Sequence, residues 1–260
     1  MATLGLLHYV LGAFAGSVVG LILGLVGGGG SILAVPLMVY LVGVDDPHVA
    51  IGTSALAVAV NAAFNLVNHA RQGHVKWACA LVFTLVGLAG AFFGSILGQA
   101  VDGRQLLTLF ALLMLVVAAL TFRARHGRED PKASLGRDNA LRLSTAGAFT
   151  GMVSGFFGIG GGFLVVPGLI ATTHMPALFA VGSSLVAVTA FGLMTAFNYA
   201  RSGFVDWPLA MSFILGGGVG GAIGAWCAST LGQRKGILNM LSATVIALTG
   251  LYMLYRSFLP

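Results

Sequence analysis

Long stretches without a single charge constrain this chain more than any other feature. No Asp, Glu, Lys or Arg occurs from Met1 to Val44, from Pro47 to Ala70, from Trp77 to Val101 or from Gln105 to Phe122. The same holds from Leu143 to Ala200, from Trp207 to Gln233 and from Gly236 to Tyr255. A soluble domain needs a wetted surface and carries about a quarter charged residues. Here 8% of 260 residues are charged and 58% are hydrophobic. Each run matches the ~20 residues that cross a bilayer, or holds more than one such segment. The chain is expected to live in a membrane.

Ten apolar segments follow, all read as helices, near 5–26, 30–43, 48–69, 77–100, 105–122, 142–158, 162–173, 177–200, 207–229 and 236–257. The second and seventh are short and both follow a glycine cluster. The first is read as a span rather than a cleaved signal peptide, because it lacks a basic leader. The formal charge of +6 sits in short loops rather than on one face, so it reads as positive-inside bias and not as a nucleic-acid surface. Cys79 and Cys227 fall in apolar runs and read as core residues. His8 and His174 have no matching His in the other half, and no metal centre or cofactor is expected.

The two halves repeat. Gly24-Leu-Val-Gly-Gly-Gly-Gly-Ser-Ile-Leu-Ala-Val-Pro36 lies over Gly155-Phe-Phe-Gly-Ile-Gly-Gly-Gly-Phe-Leu-Val-Val-Pro167, with seven of thirteen positions identical. Asn68-His-Ala-Arg-Gln-Gly-His-Val-Lys-Trp77 lies over Asn198-Tyr-Ala-Arg-Ser-Gly-Phe-Val-Asp-Trp207, with six of ten identical. Between them, Gly52-Thr53-Ser54 lies over Gly182-Ser183-Ser184. The fold class expected is an all-α polytopic membrane protein of two homologous repeats. These occupy residues 1–122 and 142–260, joined by a basic cytoplasmic linker at 123–141, with broken or half helices at the glycine motifs. If all ten segments cross and the linker is cytoplasmic, ten Lys and Arg lie inside and three (Arg104, Arg201 and Arg256) outside. If the short segments are re-entrant the ratio is unchanged, so charge bias leaves the parity of the repeats open. Precedent among transporters favours an inverted five-plus-five arrangement.

Contiguous glycines in apolar sequence break a helix, since each costs about 1 kcal/mol relative to Ala. A short helix starting just after the break aims unpaired N–H groups and its positive dipole end at whatever sits there, which favours an anion. The candidate ligand-binding glycines are Gly27, Gly28, Gly29 and Gly30 with Ser31, and Gly158, Gly160, Gly161 and Gly162. Glycines at intervals of four (Gly12, Gly16, Gly20 and Gly24, then Gly147, Gly151 and Gly155) read instead as helix-packing ridges. Thr53, Ser54, Ser183 and Ser184 can cap helices or donate to a ligand. Asn68 with Arg71 and Asn198 with Arg201 end the same helices. Each Arg either meets an oxyanion or complements the helix dipole and snorkels. Asn61 and Asn65 lie one turn apart and either face a pathway or join helices. No Asp or Glu lies inside an apolar segment, so no proton-relay or sodium-binding carboxylate is expected.

The glycine break with its trailing Pro, the Gly-Thr-Ser opening and the Asn-x-x-Arg-x-Gly-x-Val-x-Trp ending resemble those of the TauE/SafE family. This is the sulfite exporter and toluene-sulfonate uptake permease group, and the resemblance spans both halves. It implies a bacterial inner-membrane permease for small sulfur oxyanions or organosulfonates such as sulfite or sulfoacetate, with several members acting as exporters. It also implies site roles for the paired motif residues named above. Ile159 interrupts the second glycine run where the first has Gly28. Membrane lipid is the other expected partner, and the sequence leaves a homo-oligomer open. Rival readings are a gated anion channel, a non-transporting scaffold, and an intramembrane hydrolase at Ser154. The last lacks the rhomboid-type spacing and any His placed to activate the serine.

Overall fold

The computed structural model describes residues 5–26, 28–123, 136–231 and 235–258. They are helical, with no strand among the described residues. The helices are α1 (Leu6–Val26), α2 (Gly28–Leu33, Ala34–Pro36 and Leu37–Val42 in succession), α3 (Pro47–Arg71), α4 (Trp77–Ala100) and α5 (Gly103–Arg123). The second half follows with α6 (Arg137–Phe157), α7 (Gly162–Thr173), α8 (Ala177–Arg201), α9 (Trp207–Leu231) and α10 (Lys235–Phe258). Six of them, α1, α3, α4, α5, α8 and α9, are long and apolar enough to cross a membrane. Large apolar side chains such as Leu85, Phe93, Phe149, Leu215 and Val219 face outward, as a lipid-facing surface requires.

Two departures from the expected segments have local causes. Residues 137–141, read as linker, form the first turn of α6, because Gly136 starts the helix and its N–H donates to Asn139 Oδ1 at 2.8 Å. The rest of the linker, 124–135, lies outside the described residues. In the first half the short segment is not a uniform helix. It opens as a 3-10 turn, passes through one α-turn and ends as a π-turn capped by the left-handed Gly43. Three glycines, Gly28 to Gly30, supply no side-chain contacts to hold α geometry at its start, and Pro36 cannot donate to the ladder.

Glycine ladders set how the halves interlock. A methyl at Gly16 would collide with the Phe213 carbonyl, and one at Gly20 with the Gly217 carbonyl. From the other side, Gly216 and Gly220 meet the carbonyls of Ala13 and Ser17, and Ser17 Oγ donates to the Gly216 carbonyl at 3.1 Å. Thus α1 lies on α9 at backbone contact. The equivalent pair is α6 on α4, where Gly147, Gly151 and Gly155 meet the carbonyls of Phe83, Gly87 and Ala91. Each half therefore packs its first helix against the fourth helix of the other. Neither half closes its own core.

These contacts also fix directions. Residue numbers rise together along α1 and α9, along α4 and α6, along α3 and α9 (Asn61 by Gly217, Asn65 by Gly221) and along α4 and α8 (Ser95 by Asn198, Gln99 by Ser202). They run oppositely along α3 and α8, where Gly52 abuts Tyr199 and Gly182 abuts His69. Hence α1, α3 and α9 point one way and α4, α6 and α8 the other. The first and third helices of one half oppose those of its repeat, so the repeats are inverted. Between α1 and α3 the chain must return through α2, and between α6 and α8 through α7.

Candidate functional site

The motif that ends α3 and α8 is a stop, turn and restart cassette. The Gly73 N–H donates to the Ala70 carbonyl and the His74 N–H to the His69 carbonyl, with Gly73 at φ 72°. Gly203 and Phe204 make the same pair of bonds to Ala200 and Tyr199, with Gly203 at φ 78°. This is the Schellman cap, in which a left-handed residue lets the last carbonyls find donors. Val75 and Val205 then turn inward, and Trp77 and Trp207 begin the next helices with exposed rings.

The Gly-Thr-Ser motif locks onto that cassette, always in the other half. Gly52 lies against the Phe204 carbonyl and Gly182 against the His74 carbonyl. The Asp206 N–H donates to Thr53 Oγ1 at 2.9 Å, and the Lys76 N–H donates to Ser183 Oγ at 2.9 Å. Two symmetric clasps result, one at each end of the antiparallel α3–α8 pair. Thr53 and Ser183, candidates for ligand donation, are thus engaged in joining the halves.

Ser54 and Ser184 differ. Each is fully buried and donates back to its own helix, Ser54 to the Ile51 carbonyl at 3.1 Å and Ser184 to the Val181 carbonyl at 2.7 Å. Their i+4 neighbours Val58 and Val188 share their helix face and both touch the Gly160 position. Those valines stand near the midpoints of two 25-residue helices. The second glycine break therefore reaches the centre of the molecule, and both serines sit one turn from it.

The two breaks are brought together there. The start of α2 packs against α7 and α8, and Gly30, Ser31 and all of 158–162 are buried. Gly158, Gly160 and Gly161 have φ of 67°, 65° and 70°, a left-handed conformation that costs other residues about 1–2 kcal/mol. Gly158 caps α6 and Gly161 opens α7. The chain then doubles back, with Gly161 beside Ser154 and Gly168 beside Thr150. In the first half Gly28 and Gly29 belong to the 3-10 turn, while Gly27 lies outside the described residues.

The helix-end pairs fall elsewhere. Asn68, Arg71 and Arg201 are exposed, and the Arg201 guanidinium stacks 5.8 Å from the centre of the Phe197 ring. Asn198 is buried, but its amide donates to Ser95 Oγ at 2.6 Å and to the Phe92 carbonyl at 3.3 Å, tying α8 to α4. None of the four reaches the central break. Nearer the surface, an open cavity of about 670 Å³ lies where α4 ends and α5 begins, lined by Tyr40, Asp46, His48, Arg104 and Arg256 among others. No cluster of three or more potential metal ligands occurs among the described residues. One buried hydroxyl beside the break, Ser154 Oγ, has no hydrogen-bond partner. It was legible only as an isolated serine, since the equivalent residue in the first half is Leu23.

Comparison with known proteins accords with this architecture. The model of the sulfite exporter TauE/SafE family matches residues 12–253, nearly the whole chain. The chain belongs to the TauE/SafE family. Its relatives include a probable membrane transporter protein of Xylella fastidiosa, 50% identical over 94% of both chains. A Bacillus subtilis protein of the same description is 27% identical over 95% of this chain and 96% of its own. One from Methanocaldococcus jannaschii is 25% identical over 92% of each. No solved structure gives a significant match. This TauE/SafE protein is a multi-pass membrane transporter, and its relatives' descriptions name no substrate.

Proposed function

We propose that the protein carries small sulfur-containing anions, such as sulfite, sulfoacetate or other organosulfonates, out across a bacterial inner membrane. It works as a secondary transporter by alternating access. The observation that supports this most is the meeting of two glycine breaks at the centre of an inverted repeat. Discontinuous helices at a midplane site are the arrangement by which inverted-repeat transporters hold a substrate. The start of α7 directs freed N–H groups and a partial positive charge to that point. The basic linker faces the cytoplasm on the ten-to-three Lys and Arg bias.

An anion leaving an inside-negative cell gains about 2.3 kcal/mol per charge per 100 mV. Export then needs no coupling ion, in keeping with apolar segments that carry no carboxylate. Arg71 and Arg201, exposed at helix ends, act by drawing anions toward the two mouths rather than as ligands. Sulfite counterflow in proteoliposomes tests the reading, with sulfate and ethanesulfonate as competitors. Labelled sulfite should accumulate against preloaded unlabelled sulfite. A linear, non-saturating flux without counterflow would instead mean a channel, and complete silence would remove sulfur anions from the assignment.

A further inference from the structure

The two breaks are not equivalent, and one difference lies in the residue that packs beside each of them. Gly30 and Gly161 correspond in the repeat. A methyl at Gly30 would press on the backbone of Leu23, while one at Gly161 would press on Ser154, 2.7 Å from its Cβ and 2.8 Å from its Oγ. Leu23 and Ser154 are themselves equivalent positions. The first break thus meets only backbone of α1 at this point, and the second meets a side-chain hydroxyl of α6.

That hydroxyl is unusual in its surroundings. Serines within membrane helices commonly return their proton to a carbonyl one turn back. Ser17, Ser54, Ser95, Ser184 and Ser212 all do so here. Ser154 is 0% exposed and its Oγ has no partner. Leaving a buried polar group unpaired costs about 1–3 kcal/mol, which invites a ligand to pair it. Asn61, Thr84 and Thr195 also hold unpaired groups, but they sit along the shafts of α3, α4 and α8. Ser154 alone among these abuts the opening of a helix. That helix, α7, is 12 residues long with Gly161 as its N-cap. Its amides at Leu164 and Val165 bond the Gly161 carbonyl, which leaves those of Gly162 and Phe163 without an intrahelical acceptor.

We propose that Ser154 Oγ and the N-terminus of α7 form the primary oxyanion subsite of this protein, and that the first break carries no equivalent. The proposal rests on the anion-carrier reading above and assigns it to one half of the molecule. An oxyanion seated over Gly161 accepts from the Gly162 and Phe163 amides along the helix axis and from Ser154 at the side. A tetrahedral or pyramidal oxyanion offers separate oxygens for those donors. The left-handed glycines at 160 and 161 permit the approach, because any Cβ at 161 would fill the space beside the hydroxyl.

The test is titration calorimetry of the purified full chain with sulfite, sulfate and ethanesulfonate, comparing wild type with Ser154→Ala. The substitution keeps the packing and removes only the hydroxyl. A hydrogen bond to a charged group corresponds to about tenfold or more in affinity. The dissociation constant of each bound oxyanion should rise by that factor, with the ligand-free melting midpoint unchanged. Ser154→Cys, similar in volume and a weak donor, should fall between the two and serves if the alanine variant does not fold. Wild-type affinity in both variants would overturn the subsite while leaving the carrier reading intact. A wild-type chain that binds none of the three anions would overturn both.

Discussion

At the residue scale, neighbouring hydroxyls in one motif have different tasks. Thr53 and Ser183 accept backbone N–H groups from the opposite half, whereas Ser54 and Ser184 lie on the face that meets the central break. Replacing Thr53 by Ala takes the acceptor from the half-buried Asp206 amide, which should lower stability by about 1 kcal/mol. Thr53→Ser, which keeps the oxygen, should melt within a degree or two of wild type. Melting of the detergent-purified chain checks both, and equal midpoints for all three would remove the clasp. Gly160 answers to conformation instead. At φ 65° and 3.2 Å from Val188 Cγ1 at its would-be Cβ, it should tolerate neither Ala nor Leu without losing anion binding. Counterflow by Gly160→Leu at the wild-type rate would move the site away from the break.

At the scale of elements, the spaced glycines and the contiguous ones do separate work. The ladder on α1 lets carbonyls of α9 approach backbone to backbone, and the ladder on α6 does the same with α4. In lipid such approach is driven by dispersion contacts and weak C–H donation rather than by expelled water. Gly151→Leu should therefore force α6 off α4 and abolish the folded species on gel filtration. Gly218→Leu, where nothing lies within 4 Å of a Cβ, should leave it intact. Matching elution of the two variants would contradict the ladder. The breaks show the converse use of glycine, since Gly158, Gly160 and Gly161 adopt left-handed backbone that ends one helix and reverses the chain into the next.

At the scale of the whole molecule, the halves are exchanged partners. Each first helix belongs structurally to the other repeat, so an isolated half has exposed carbonyl ladders and no partner for its clasps. Inversion predicts that the equivalent turns after α3 and α8 face opposite sides of the membrane. Gln72→Cys and Ser202→Cys, in a chain freed of Cys79 and Cys227, should label with an impermeant thiol reagent from opposite faces. Labelling from the same face would contradict the inverted arrangement of the repeats.

Much of this was present in the sequence. Uncharged runs, divided at the glycine clusters and turns, marked the ten helices found among the described residues, because a bilayer admits only segments that satisfy their own backbone. The internal repeat, the breaks and the packing ridges were legible because glycine and proline act locally on the backbone. Parity was not legible, since hydrophobic periodicity is the same whichever way a helix points. It was decided by long-range pairs such as Gly52 with Tyr199 and Asn198 with Ser95. Nor could the sequence sort Thr53 from Ser54. Adjacent helical residues point about 100° apart, so which of them meets the other half depends on how the whole helix is rotated. That rotation, like the pairing of Ser154 with Gly161, is set by packing among helices distant in the chain, and only the tertiary structure decided it.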